Sequence, residues 1–161
     1  MNRTYLLIGS NEGDRIHHMS TAREMVKDKI GKITASSQLY ETAAWGKHDQ
    51  PDFLNQVLLV NTLLPAATCL KEILLIEKRM GRIRTKKNDP RIIDIDILFF
   101  NDDIINDVHL SVPHPELQNR KFVLIPMNEL SPGLIHPVLH RSMRDLLSTC
   151  KDELEVRVFQ K

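Results

Sequence analysis

Cysteine is scarce in this sequence: Cys69 and Cys150 are the only two among 161 residues. That excludes a disulfide-built scaffold and suits a reducing, cytoplasmic setting, with both thiols packed as small apolar side chains. Aromatic residues make up 5% of the chain, too few for the exposed stacking platforms with which a sheet binds single-stranded RNA. Charge of one sign does not accumulate either, since 22 Lys and Arg stand against 21 Asp and Glu, for a net +1. Neither nucleic acid nor an acidic membrane surface is an expected partner, and any basic site has to be local. No apolar run approaches the roughly 20 residues of a membrane span. The opening "MNRTYLLIG" leads into polar sequence, which does not read as a cleavable leader. With 42% hydrophobic and 27% charged residues, the composition predicts one globular domain over 1–161 with a proper core.

Strand and helix patterns interleave along the chain. Thr4 to Ile8 reads as a strand ending at "GSNEG". Ile16, Met19, Ala22, Val26 and Ile30 then recur at helical spacing, with Gly31 as a stop. "KITASSQLYET" and "NQVLLVNTLL" read as strands, and Pro65 opens a second helix that Gly81 closes. "IIDIDILFF" is a further strand, turning at "NDD" into a short arm "IIN" that suggests a hairpin. Short helices follow in "KFVLIPMNEL" and "SMRDLLSTC", and "ELEVRVFQ" closes the chain as a strand. Recurring hairpins favour an α+β domain around a mainly antiparallel sheet. The polar connections 42–52 and 82–91 are long for a compact domain, as functional loops often are.

The chemistry concentrates in "NDPRIIDIDILFF". Strand residues two apart share a face, so Asp94 and Asp96 stand side by side while Ile93, Ile95 and Ile97 face the core. Two adjacent carboxylates repel unless a cation separates them, and Mg²⁺ is held by such oxygens together with water and phosphate. The alternative is a solvated edge strand. Against it stands the cationic run upstream, Arg82, Arg84, Lys86, Lys87 and Arg91, which suits a metal–polyphosphate substrate. "GSNEG" is no phosphate loop, for it lacks a Gly-Lys-Ser/Thr ending and a G-x-G-x-x-G. Of the histidines, His17 and His18 read as exposed helix positions, and Pro137 between His136 and His140 rules out a helical metal pair. Trp45, Phe53 and Phe122, taken singly, read as core packing.

Six stretches in order, "IGSN", "YETAAWG", "QPDFLN", "EKRMGRIR", "DPRIIDIDILFF" and "SVPHPELQNRKFVLIP", resemble the 6-hydroxymethyl-7,8-dihydropterin pyrophosphokinases of folate biosynthesis. The resemblance spans nearly the whole chain. It implies a ferredoxin-like α+β fold and transfer of the β,γ-diphosphate of ATP to the pterin's hydroxymethyl group, releasing AMP. It implies two Mg²⁺ ions on Asp94 and Asp96, with Arg82 and Arg91 as further catalytic groups. Phe53 and Phe122 would sandwich the pterin, with Asn55, Thr42, Ala43 and Trp45 around it. Glu77, Arg84, Lys87, Arg91, Ile97, Ser111, His114 and Arg120 would serve ATP. The partners implied are these two small molecules, acting on a cytoplasmic monomer. Asn88 and Asp89 depart from the family's usual aromatic and small residues, as Ala43 and Ala44 do from its prolines.

Two other readings share some of these features. One is a different Mg-dependent phosphotransferase or phosphohydrolase, since D-x-D on a strand serves many such sites. The other is a non-catalytic nucleotide- or RNA-binding module on a ferredoxin-like sheet. The first does not explain the blocks around Phe53, Asn55 and Phe122, and 5% aromatics with a near-neutral charge argue against the second.

Overall fold

The computed structural model describes residues 1–44, 49–83 and 89–160. Strand β1 (Asn2–Ser10) leads through a turn to helix α1 (Arg15–Lys29), then to β2 (Gly31–Ser36), β3 (Tyr40–Thr42) and β4 (Phe53–Thr62). Helix α2 (Ala66–Arg79) crosses to β5 (Asp94–Phe100). A small ladder, β6 (Ile105–Asn106) with β7 (Ser111–Val112), precedes a 3₁₀ turn at Leu117–Asn119 and helices α3 (Lys121–Leu130) and α4 (Met143–Ser148). Strand β8 (Val156–Val158) ends the described chain.

The main sheet runs β5-β1-β4-β3-β8, with β2 also paired to β4, and all its pairings are antiparallel. With β2 and β3 counted as one broken strand, this is the β-α-β-β-α-β order of a ferredoxin-like fold. Strand β1 lies between β4 and β5, and Thr4 through Ser10 are buried throughout. Alternation divides its side chains between two cores. Leu6 and Ile8 join Val26, Ile73 and Ile95 beneath α1 and α2. Tyr5 and Leu7 join Val57, Leu124 and Met143 beneath α3 and α4. The sheet is thus the middle of three layers.

The helices begin and end where local chemistry directs. Asp14 caps α1 by accepting from the His17 amide at 3.1 Å, and Lys27 and Lys29 sit at the negative end of its dipole. Gly81, at φ 93°, closes α2 as the pattern predicts. Gly31 does not stop α1 by a left-handed turn. It starts β2, and a Cβ there would lie 2.0 Å from the Asn61 carbonyl oxygen. That glycine is fixed by close strand approach.

Three other expectations need correction. "KITASSQLYET" is two strands, because Ser37 interrupts the ladder: its hydroxyl, in place of a backbone carbonyl, accepts from the Val57 amide at 3.0 Å. The arm at Ile105–Asn106 pairs with β7 and not with β5. Asn101 explains this. Its amide donates to the Arg3 carbonyl at 2.7 Å, its side chain accepts from the Arg3 amide at 2.9 Å, and its φ of 50° turns the chain away from the sheet edge. His18 is half-buried, not exposed like His17.

Cys69 is buried in the first core as expected, whereas Cys150 is only partly covered. Among the described residues no helix is long and apolar enough to cross a membrane.

Candidate active site

On the α3 side of the sheet, the same alternation that fills the core carries polar side chains toward one end. Gly9 pairs with Asn55 on β4 and with Asp94 on β5, so carboxylate, glycine and amide form one cross-strand row. Leu7 pairs with Asp96 in the row behind, and Thr42 pairs with Phe53. Phe122, at the start of α3, and Arg120 just before it overhang these rows. Together they form a cleft open to solvent, which Arg91, Ala43 and Ala44 also line. Tyr40 holds α3 to this edge by donating to Glu129 Oε1 at 2.6 Å. Burial and that bond push its hydroxyl pKa up to about 12.

The carboxylates behave differently although they share a face. Asp94 Oδ1 accepts from Arg82 Nη1 at 2.8 Å, and Arg91 Nη1 lies 3.5 Å from Asp94 Oδ2. Arg82 Nη1 also bonds Glu77, a buried α2 carboxylate that accepts from the Ile95 amide at 2.9 Å. Burial alone would lower the Arg82 pKa, but Asp94 and Glu77 together raise it, so its charge is firmly held. For Asp96, burial and then the charges of Asp94 and Glu77 push the pKa up to about 8, against the pull of Arg120 and Arg82. Two oxygen-bearing groups on one face, one of them short of positive charge and the other held by a guanidinium, suit a hard divalent cation. Asp94 and Asp96 are the residues that would hold it. The remaining ligands would come from water and phosphate, since no group of three or more His, Cys, Asp or Glu residues suited to a metal occurs among the described residues.

Each aromatic wall carries an arginine. The Arg91 guanidinium lies 5.2 Å from the Phe53 ring centroid, and that of Arg120 5.8 Å from the Phe122 ring. Cation–π contact holds each charge beside an apolar face. The cleft therefore offers flat apolar walls, a buried amide at Asn55, and at one end carboxylates among guanidinium groups. A planar heterocycle with a polar edge fits the first two, and a metal-bound polyphosphate fits the third.

The residues predicted from sequence fall in different places. Thr42, Ala43, Phe53, Asn55, Arg91, Asp94, Asp96, Arg120 and Phe122 meet in the cleft. Arg82 and Glu77 stand behind its carboxylates. His114 lies beside it, with its pKa lowered by burial and then by the Arg120 charge. Its Nδ1 accepts from the Glu116 amide at 3.1 Å, which leaves the ring proton on Nε2. Ile97 does not enter the cleft, since its side chain packs in the core beneath α1 and α2. Ser111 is exposed on β7. Trp45, Arg84 and Lys87 lie outside the described residues, as do Lys86 and Asn88.

Two residues of "IGSN" carry roles that the sequence reading did not assign. Gly9 leaves the gap in which Asn55 sits, for a Cβ there would be 2.6 Å from Asn55 Oδ1. A glycine inside a strand pattern is the signal of such close approach. Asn11 is buried behind the cleft and bonded to both flanking connections. A buried asparagine just past a strand end gives no comparable signal.

Comparison with known proteins gives a consistent result. The family model described as 7,8-dihydro-6-hydroxymethylpterin-pyrophosphokinase (HPPK) matches residues 5–132. The 2-amino-4-hydroxy-6-hydroxymethyldihydropteridine pyrophosphokinase of Aquifex aeolicus is 40% identical over 145 residues, which are 90% of this chain and 90% of that one. The folic acid synthesis protein fol1 of Schizosaccharomyces pombe is 40% identical over 144 residues, 89% of this chain but 20% of that longer protein. Among solved structures, wild-type HPPK-DHPS of Plasmodium falciparum with SDX-DHP superposes with a TM-score of 0.74 at 21% identity. That match covers 92% of this chain and 43% of the other, and it bears on the fold alone.

Proposed function

Since this chain belongs to the 7,8-dihydro-6-hydroxymethylpterin-pyrophosphokinase family, we propose that the cleft beneath Phe122 is where its two substrates meet. The enzyme is a pyrophosphokinase of folate biosynthesis. It moves the β,γ-diphosphate of ATP to the hydroxymethyl group of 6-hydroxymethyl-7,8-dihydropterin. The hydroxymethyl oxygen forms a bond to the β-phosphorus and loses its proton, the α,β-anhydride bond breaks, and AMP leaves.

The observation that carries the site assignment is the row Asp94–Gly9–Asn55, which sets a carboxylate end and an amide end in one cleft. In this reading Phe53 and Phe122 stack on the pterin ring, while Asn55, with Thr42 and Ala43 nearby, hydrogen-bonds its edge. Asp94 and Asp96 hold Mg²⁺, two ions in all. When bound, the metal neutralises phosphate charge and draws the polyphosphate into line. Arg82 and Arg91, already on Asp94, neutralise charge that builds on the leaving phosphate, and Arg120 does the same from the α3 side. His114, with its proton on Nε2, donates to a phosphate oxygen. Glu77 holds Arg82 in place, and Ile97 and Ser111 support the adenine end through the strands that carry them. Trp45 belongs with the pterin-binding residues, and Arg84 and Lys87 with those that serve ATP. The chain works as a single domain and a monomer in the cytoplasm.

Incubation with MgATP and the hydroxymethyl dihydropterin tests this reading. AMP and the pterin diphosphate are the expected products. ADP or inorganic phosphate would instead identify another phosphotransferase or a phosphohydrolase, and binding without turnover a non-catalytic nucleotide module.

A further inference from the structure

Phe53 stands where the sheet runs out. The register of β1 with β4 ends at Ser10 and Leu54, so Phe53 is paired on one side only, to Thr42 of β3. Side chains hold the segment that leads into it. Glu41 lies on the face away from the cleft, where its cross-strand partner Leu54 packs beneath α1 and α2. Each of its two oxygens takes one arginine. Oε2 accepts at 2.7 Å from Nη1 of Arg15, at the start of α1, and Oε1 accepts at 3.0 Å from Nη2 of Arg157, on β8.

Both arginines also reach Asp52. Arg15 Nη1 donates to its backbone carbonyl at 2.8 Å, and Arg157 Nη2 donates to its carboxylate Oδ2 at 2.8 Å. Two guanidinium groups from different elements thus grip the residue directly before the aromatic wall, one by its main chain and one by its side chain. Arg15 is the better sheltered. Its side chain is 25% exposed, against 45% for Arg157, and its guanidinium lies 5.7 Å from the Phe159 ring centroid. Charge-assisted bonds to partners that are themselves fixed suit it to holding a backbone in place. Neither arginine lines the cleft.

We propose that Arg15 and Arg157 are positioning residues: from behind the sheet they fix the backbone at Asp52 and thereby set the Phe53 ring against the pterin. The idea rests on the site assignment above. The carboxylate end of the cleft is held by a separate set of bonds, from Arg82 and Arg91 to Asp94, so the effect should fall mainly on one substrate. It must also pass through the Phe53 ring. Once that ring is gone, the two arginines have nothing left to aim.

The test is calorimetry of the full chain. Mg²⁺ with α,β-methylene-ATP is titrated by itself, and the hydroxymethyl dihydropterin is titrated into protein already holding that nucleotide. Arg15→Ala should raise the pterin dissociation constant by about tenfold, and the more exposed Arg157→Ala by about two- to threefold. Nucleotide affinity should stay within about twofold of the wild type in both. Arg15→Lys keeps the charge and one donor direction, and should recover part of the loss. In a Phe53→Ala background, adding Arg15→Ala should cost no further pterin affinity. A purely structural role would instead weaken both ligands alike and act with or without the ring. Unchanged pterin affinity in folded Arg15→Ala, equal losses for both ligands, or a full further loss in the Phe53→Ala background would each overturn the proposal. Should Arg15→Ala not fold, Arg157→Ala decides by the same three results. A wild type that binds no pterin and makes no AMP would overturn the assignment of the site itself.

Discussion

Asn55 occupies space that Gly9 leaves empty: the two are cross-strand partners, and a Cβ on Gly9 would stand 2.6 Å from Asn55 Oδ1. The nearest atom belongs to a short side chain that is itself buried, with the Leu54 carbonyl 3.4 Å away and the Phe53 ring 3.6 Å away. Room for retreat is small. Overpacking of this kind costs about 1–3 kcal/mol, and here part of that cost would fall on the amide proposed to meet the pterin. Gly9→Ala is expected to raise the pterin dissociation constant by about tenfold or more, equivalent to about 1.4 kcal/mol, with nucleotide affinity little changed. Calorimetry with each ligand separately checks this. Equal losses for both would mean a general loosening of the sheet.

The carboxylates should separate catalysis from folding. Asp94→Ala and Asp96→Ala each remove one of the carboxylates proposed to hold the metal while relieving the repulsion between neighbours. Turnover with MgATP is expected to fall by about 10²–10³-fold, by analogy with loss of one transition-state stabiliser. The metal-free fold should persist, and for Asp96→Ala the thermal midpoint at neutral pH should hold or rise. Turnover near that of the wild type at limiting Mg²⁺ would remove these residues from the metal site.

Asp96 also gives the metal-free protein a pH dependence of defined sign. Its carboxyl titrates near 3.8 in the unfolded chain and near 8 in the folded one. Between those values the native state binds the extra proton, so the stability linked to Asp96 is full below the lower value and is lost as pH rises through the higher. Melting in EDTA should show the protein less stable at about pH 8 than at about pH 5. Asp96→Asn should flatten that slope. A wild-type midpoint that rises across this interval, with no change in Asp96→Asn, would refute the linkage.

Phe53 and Phe122 should act on one substrate more than on the other. Truncating either to alanine removes one stacking face, worth about 1–3 kcal/mol by analogy with bases on aromatic side chains. Pterin affinity should drop accordingly while MgATP affinity changes less. Some nucleotide effect is expected for Phe53→Ala, since Arg91 rests on that ring. A loss of thermal stability without a change in pterin affinity would identify a packing role instead.

Much of this site was readable before any coordinates, because the period of a strand is local. The alternation that buries Ile93, Ile95 and Ile97 necessarily turns Asp94 and Asp96 to the other face. The helical spacing of Met19, Ala22 and Val26 marked the buried side of α1 in the same way. What escaped depends on partners distant in sequence. Past Ile97 the pairing of β1 with β5 slips, so that Leu98 and Phe99 both enter the second core. Nothing local to "ILFF" announces that shift. Ser37 interrupts a strand only because Val57 presents its amide there, and Gly31 is required only because Asn61 lies so close. Asn11 is held by the segments at 50–51 and 91, which its own neighbourhood in the sequence does not reveal.

The central position of β1 has a consequence for how the chain reaches its native state. The sheet's earliest strand in the chain is flanked by two that come much later, and the Thr4 hydroxyl finds its acceptor, the Phe99 carbonyl, 95 residues further on. The helices, the ladders of β2 and β3 with β4, and that of β6 with β7 can form from near neighbours. The apolar stripe of β1 must wait for β4 and then β5 to emerge from the ribosome, with loop-closure entropy to overcome before pairing is rewarded. A nascent chain stopped before β5 would carry that stripe with one edge unpaired. Such fragments should engage chaperones or aggregate, and release should follow once Phe100 has cleared the exit tunnel.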